Sequence, residues 1–174
     1  MTGIMLFALI VTVAIVLAAL LGKNKSRKAI GFPYEKHATL FSAAERSFLG
    51  VLEQAVGPEH RVFGKVRVAD IARVKSGLGK SARRGALNRI AAKHFDFVIC
   101  RGSDLRVLCV VELDDKSHGA LRAQARDQLI KKVCEVIGLP LLQVPARATY
   151  SRQDIRSRFL ASIAPTPSND AIGP

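Results

Sequence analysis

Phe95-Asp96-Phe97-Val98-Ile99-Cys100, followed after a short gap by Leu108-Cys109-Val110-Val111-Glu112-Leu113-Asp114-Asp115, decides how this chain folds. Both runs are short, apolar and rich in β-branched and aromatic residues, with Gly, Ser and charges at their borders, so both read as strands. Alternation along a strand points Glu112 and Asp114 one way and Val111 and Leu113 the other. Asp96 interrupts the neighbouring strand, with Phe95 and Phe97 on its opposite face. A hairpin through Arg101-Gly102-Ser103-Asp104 would bring Asp96, Glu112 and Asp114 to one patch. Crowded carboxylates repel and lose hydration, and a bound cation relieves both costs. Oxygen ligands of this kind suit Mg²⁺ or Mn²⁺.

Downstream, Lys116-Ser117-His118-Gly119 leads into a helix starting near Leu121 or Ala125, whose apolar stripe is Leu129, Ile130, Val133, Val136 and Ile137. Gly138 and Pro140 end it. The run LPLLQVP at 139–145 reads as a short, fully apolar strand, so strand, helix and strand predict a parallel, right-handed crossover. Ser151 caps a last helix through Leu160, and 161–174 is a Pro-containing tail. Upstream, Ser42-Ala43-Ala44-Glu45 is a capping box stapled by Leu40 and Phe41. The helix behind it carries Phe48, Leu49, Leu52 and Val56 on one face and stops at Gly57-Pro58. Capping alone accounts for Glu45; a functional role is the second reading. Alternation of Val62, Gly64, Val66 and Val68 predicts a strand over 60–71, and a short helix follows at 85–93.

The segment from 65 to 93 is the most basic of the chain, and the formal net charge is +13. Such an excess favours polyanionic partners, either nucleic acid or an anionic membrane face. Lys75, Lys80, Arg83, Arg84, Arg89 and Lys93 read equally as a groove wall for phosphates or as a solvated surface. Gly77-Leu78-Gly79-Lys80-Ser81 ends like a phosphate-binding P-loop, but Val74 stands where the leading glycine is required, which excludes an NTPase. Stacking aromatics are few (Phe63, Tyr150) and Trp is absent, so strand and sequence preference stay open. The three cysteines, Cys100, Cys109 and Cys134, lie in apolar patterns without CxxC spacing and read as buried free thiols of a reducing compartment.

Residues 3–21 carry no charge and match the roughly 20 residues of a membrane-crossing helix. Lys23, Lys25, Arg27 and Lys28 follow that run rather than precede it, which favours a retained anchor over a cleaved signal and puts the rest of the chain in the cytoplasm. The organisation expected is an anchor at 1–22, a basic linker at 23–37, a globular domain at 38–160 and a tail at 161–174.

Four stretches, LFSAAERSFLGVLEQAVG, ALNRIAAKHFDFVIC, VVELDDKSH and ARDQLIKKVCEVIGLPLLQVP, together resemble a bacterial family known only as domain of unknown function 2726. That family is similar to very-short-patch-repair-like endonucleases of the PD-(D/E)xK superfamily, and the likeness covers 38–160. The resemblance implies an α/β fold with a restriction-endonuclease-like core, a mixed four-stranded sheet flanked by helices. It implies divalent-metal-dependent hydrolysis of phosphodiester bonds, in DNA, with Asp96 and Glu112 as metal ligands. Asp114 occupies the position that is usually lysine in the superfamily and joins them. His118 is a candidate base or metal-site neighbour, and Glu45, Arg126 and Asp127 are candidate supporting residues, Asp127 also readable as a first-turn charge. Two other classes stay open: an inactive nucleic-acid-binding domain of the same fold, and a membrane or protein interaction module. Oligomeric state is not legible.

Overall fold

The computed structural model describes residues 2–22, 31–114 and 120–164, with side chains described at 3–17, 31–114 and 124–164. The chain divides into two units, Met1–Ala38 and Thr39–Pro174. In the first, helix α1 (Thr2–Gly22) is built from an uninterrupted apolar sequence, and Ile4, Leu6, Phe7, Leu9 and Ile10 are exposed. Among the described residues no helix is long and apolar enough to cross a membrane.

The second unit begins with α2 (Ala43–Val56), whose start is the expected capping box. Ser42 N donates to Glu45 Oε2 at 2.8 Å and Glu45 N donates to Ser42 Oγ at 3.3 Å. Gly57, at φ 85, ends the helix. Strand β1 (His60–Arg67) follows, then α3 (Val68–Ile71), α4 (Lys80–Ala91), β2 (His94–Arg101), β3 (Val107–Asp114), α5 (Ala120–Ile137), β4 (Leu141–Pro145) and α6 (Arg152–Ile163). The sheet order is β1-β2-β3-β4, with β1–β2 and β2–β3 antiparallel and β3–β4 parallel. This is a mixed four-stranded α/β sheet, and the central hairpin and the parallel return across α5 are as the sequence predicts.

Helices cover both faces. On one, Phe48 and Leu52 of α2 and Ile155 and Phe159 of α6 pack on Phe97, Ile99, Val111 and Val144. On the other, Val68, Ile90, Ile130 and Cys134 pack on Phe95, Val98 and Val110. Ser151 caps α6 through a bond from Asp154 N. All three cysteines are free and buried.

Five expectations need correction. The strand predicted over 60–71 stops at Arg67: residues 68–71 turn into α3, with Arg67 paired to Asp70 (Nη2–Oδ1 2.7 Å), while Val68 N still donates to Lys93 O in the β1–β2 register. The helix predicted from 85 starts at Lys80, with Gly79 as an N-cap that offers no side-chain bond. The run read as fully apolar holds Gln143, and as β4 it forms the sheet edge with Gln143 and Pro145 exposed. Helix α6 runs to Ile163 rather than Leu160. Phe95 and Phe97 do not share a core face, for the β1–β2 pairing is interrupted beside them at Lys65 and Asp96, where Lys65 takes φ 54.

Candidate active site

Asp96 lies in β2 and Glu112 in β3, and both are buried, at 7% and 5% exposure. Two bonds lock them together across the hairpin. Asp96 N donates to Glu112 Oε1 at 3.1 Å, and Leu113 N donates to Asp96 Oδ2 at 3.1 Å. Each carboxylate thus spends one oxygen on the neighbouring backbone and keeps the other for the cleft. Glu112 is one position pair from Val110, so it faces the side that α5 covers, and Arg126 reaches it from there. Arg126 Nη2 donates to Glu112 Oε2 at 3.0 Å, stands 3.7 Å from Asp96 Oδ1 and also donates to His94 O at 3.4 Å. Its Nη1 lies 3.7 Å from Asp127 Oδ1.

A second cation closes the group from β1. The β1–β2 register sets Lys65 opposite Asp96, at the level where the ladder is interrupted. Its Nζ lies 3.5 Å from Asp96 Oδ1 and forms a close ion pair with Glu45 Oε1. Glu45 therefore serves both readings of its position, with Oε2 capping α2 and Oε1 holding Lys65. The charges alternate through the cluster: Glu45, Lys65, Asp96, Arg126, Glu112. Lys65, Ala92, Lys93, His94, Asp96 and Arg126 line a cavity of about 260 Å³ in front of it.

Burial pushes Glu112 up to about 8, and the Asp96 charge adds to the rise against the opposing Arg126. Burial also raises Glu45, but the bonds and charge of Lys65 and the Ser42 backbone outweigh it and hold the carboxyl below its ordinary range. Lys65 is lowered by burial and raised more by Glu45 and Asp96, so its ammonium is firmly protonated.

Of the candidate residues, Asp96, Glu112, Arg126, Asp127 and Glu45 come together. Asp114 is half-buried at the end of β3, where its backbone oxygen accepts from Ala146 N at 2.9 Å. Among the described residues no three His, Cys, Asp or Glu side chains are grouped to hold a metal ion. His118 lies outside the described residues. Lys75, Lys80, Arg83, Arg84 and Arg89 are exposed, while Lys93 is half-buried on the cavity wall. Tyr150 is committed to the core, edge-on to Phe48 at 4.8 Å with its hydroxyl accepting from Arg147 N, whereas Phe63 stays partly exposed. Lys65 is the residue that sequence reasoning left out. Its signal was a lysine centred in an alternating strand, at a position that pairs with an aspartate only once the register is known.

Residues 37–163 match the family described as Protein of unknown function (DUF2726). The chain belongs to that family. The matched span runs from just before α2 through α6, so it takes in the whole sheet and both helical layers, with Glu45, Lys65, Asp96, Glu112 and Arg126 inside it. No match was found among the curated proteins or among the solved structures.

Proposed function

We propose that this chain is a membrane-anchored, divalent-metal-dependent nuclease that hydrolyses phosphodiester bonds in DNA, built on a PD-(D/E)xK-like core. One observation carries the reading: the free oxygens of Asp96 and Glu112 aim at a single point, now held by Arg126 Nη2, on the wall of a cavity lined by Lys65, Lys93 and His94. Two carboxylates with remaining positions left to water and phosphate oxygens fit the habits of Mg²⁺. Glu112, buried beside Asp96 and raised to about 8, is a carboxyl that a cation would stabilise in its ionised form. Asp96 and Glu112 would be the ligands, and Asp114 is next in line along β3. A bound Mg²⁺ or Mn²⁺ supplies charge to the phosphate oxygens and a more acidic bound water.

The other roles fall to residues of the chain. Lys65 puts an ammonium beside Asp96, which Asp114 cannot do from the usual lysine position, and would steady negative charge growing on the phosphate. Glu45 keeps that ammonium protonated and oriented. Arg126, half-exposed, can turn from Glu112 to a phosphate oxygen when a cation takes its place. The exposed Lys80, Arg83 and Arg84 would hold backbone phosphates without reading bases. The anchor reading rests on the uncharged apolar sequence of residues 3–21 and on the exposure of the described α1 side chains. The positive charge after it favours a cytoplasmic domain.

A second reading, a nucleic-acid-binding domain without chemistry, has one observation in its favour. Lys65 and Arg126 already engage the carboxyl groups of Glu45, Asp96 and Glu112 within the protein. Thermal melting of the full chain with added Mn²⁺ separates the two. A nuclease site gains stability with metal by mass action, and Asp96→Asn or Glu112→Gln abolishes both that gain and DNA cleavage. If the wild-type melting temperature ignores Mn²⁺ and Mg²⁺, the catalytic reading is lost and the binding domain remains.

A further inference from the structure

Helix α5 carries more apolar surface than the core uses. Ile130 and Cys134 are buried and Val133 packs against them, but Val136 and Ile137, which continue the stripe, are 58% and 40% exposed. The apolar stripe read for this helix is thus only partly covered by the core. Leu78, in the turn before α4, is also exposed, at 49%. Leu78, Val133, Val136 and Ile137, with Ala86 and Ile90 of α4, line an apolar groove of about 440 Å³ between α4 and α5. Its charged lining is wholly basic: Arg73, Lys75, Arg89 and Lys132, of which Lys132 also pairs with Glu135 at 2.9 Å.

A contiguous apolar floor open to water marks a binding surface, and the rim states the charge of what binds. A DNA backbone would satisfy Lys75 and Arg89 but has nothing to lay on Leu78, Val136 and Ile137. A second copy of this chain brings the same basic rim and the same +13 charge, so it repels. A flat bilayer face does not enter a concave groove. An amphipathic helix with carboxylates flanking its apolar stripe answers both features, as helix-in-groove recognition does elsewhere.

We propose that the groove between α4 and α5 docks an acidic amphipathic helix of a partner protein, with its apolar stripe on Leu78, Val136 and Ile137 and its carboxylates against Arg73, Lys75, Arg89 and Lys132. This surface is separate from the Asp96–Glu112 cluster and does not depend on the nuclease reading.

The test uses the full chain in phosphatidylcholine nanodiscs and a fluorescent synthetic helix with Leu on one face and Glu on the other. The helix should bind above the level of empty nanodiscs, and more weakly as salt rises. Val136→Asp and Ile137→Asp, both at exposed positions that leave the core intact, should each weaken binding by about tenfold. Lys75→Gln with Arg89→Gln should weaken it about threefold or more. The same helix with Lys for Glu, or with Ser for Leu, should not bind. Absence of binding by the Leu/Glu helix overturns the proposal, as does binding unchanged by Val136→Asp and Ile137→Asp. So does a Ser/Glu helix that binds equally well. Loss of DNA duplex binding in Val136→Asp as large as in Lys75→Gln would instead assign the groove to nucleic acid.

Discussion

Glu112 is held by opposing forces that pH can separate. In the unfolded chain it titrates near the ordinary 4.5, and in the fold burial and Asp96 push it to about 8. Between those values the folded protein holds a proton that the unfolded chain has released. Stability therefore falls as pH rises through that window, the reverse of the usual carboxylate effect. With metal removed by chelation, denaturant titrations of the wild-type protein should lose on the order of a few kcal/mol from about pH 5 to 8. Glu112→Gln should flatten that slope, and Mn²⁺ should flatten it too by favouring the ionised carboxylate. A wild-type slope that rises instead would mean that Arg126 overrides burial. Glu45 acts in another window, because Lys65 holds it below its ordinary range, so its stabilisation is lost only as pH falls through its lowered value. The two effects leave the folded state most robust on the acid side of neutrality.

At the scale of elements, the parts written locally were legible and the parts set by neighbours were not. The Ser42–Glu45 cap, the Gly57 stop, the Ser151 cap and the β2–β3 hairpin follow from residues close to one another in the chain. The end of strand β1 was missed although its marks are local: Val68–Ile71 turns into α3 and Arg67 pairs with Asp70 three residues on, while the alternation of apolar residues runs through Val68 and masks the turn. Separation along the chain hid Lys65, whose meaning rests on standing opposite Asp96 across the sheet. Gly64, next to it, is read by space: a Cβ there would collide with the Phe41 ring, which stacks on Phe97 at 5.6 Å between centroids. The pair Asp96 and Glu112 was legible from strand alternation, but the place of Asp114 beside them was an extrapolation of that same period to a strand end. The anchor proposed at α1 is the element that a location test must address. Its sequence is apolar on every side and no acidic residue in its first turn or basic residue in its last marks either end, which suits lipid around it and not a one-sided core. Removing 2–22 should move the protein from the membrane fraction to the aqueous fraction without changing the melting transition of Thr39–Pro174. A truncated chain still sedimenting with membranes would shift the attachment to the basic surface of the second unit.

Over the whole molecule, the +13 charge is not spread evenly in meaning. Lys65 and Arg126 are consumed by Glu45, Asp96 and Glu112. Arg73, Lys75, Arg89 and Lys132 frame an apolar groove. Among the other basic residues, Lys80, Arg83 and Arg84 are exposed on α4, outside the groove lining and close in sequence to each other. If the chain grips nucleic acid through its backbone, these three carry the salt-dependent part of the affinity, since each phosphate neutralised releases condensed counterions. Changing Lys80, Arg83 and Arg84 together to Gln should weaken binding to unrelated DNA duplexes by similar factors. It should also flatten the plot of log affinity against log salt by about 2 to 3, roughly 0.9 for each duplex phosphate no longer neutralised. Fluorescence anisotropy between about 50 and 200 mM salt reads both quantities. The same triple change leaves Asp96, Glu112 and Arg126 untouched, so the Mn²⁺-induced melting shift should persist. An unaltered salt slope in a folded triple variant would move the phosphate-binding role to the cavity wall at Lys93 and Lys65, where the Asp96–Glu112 pair is within reach.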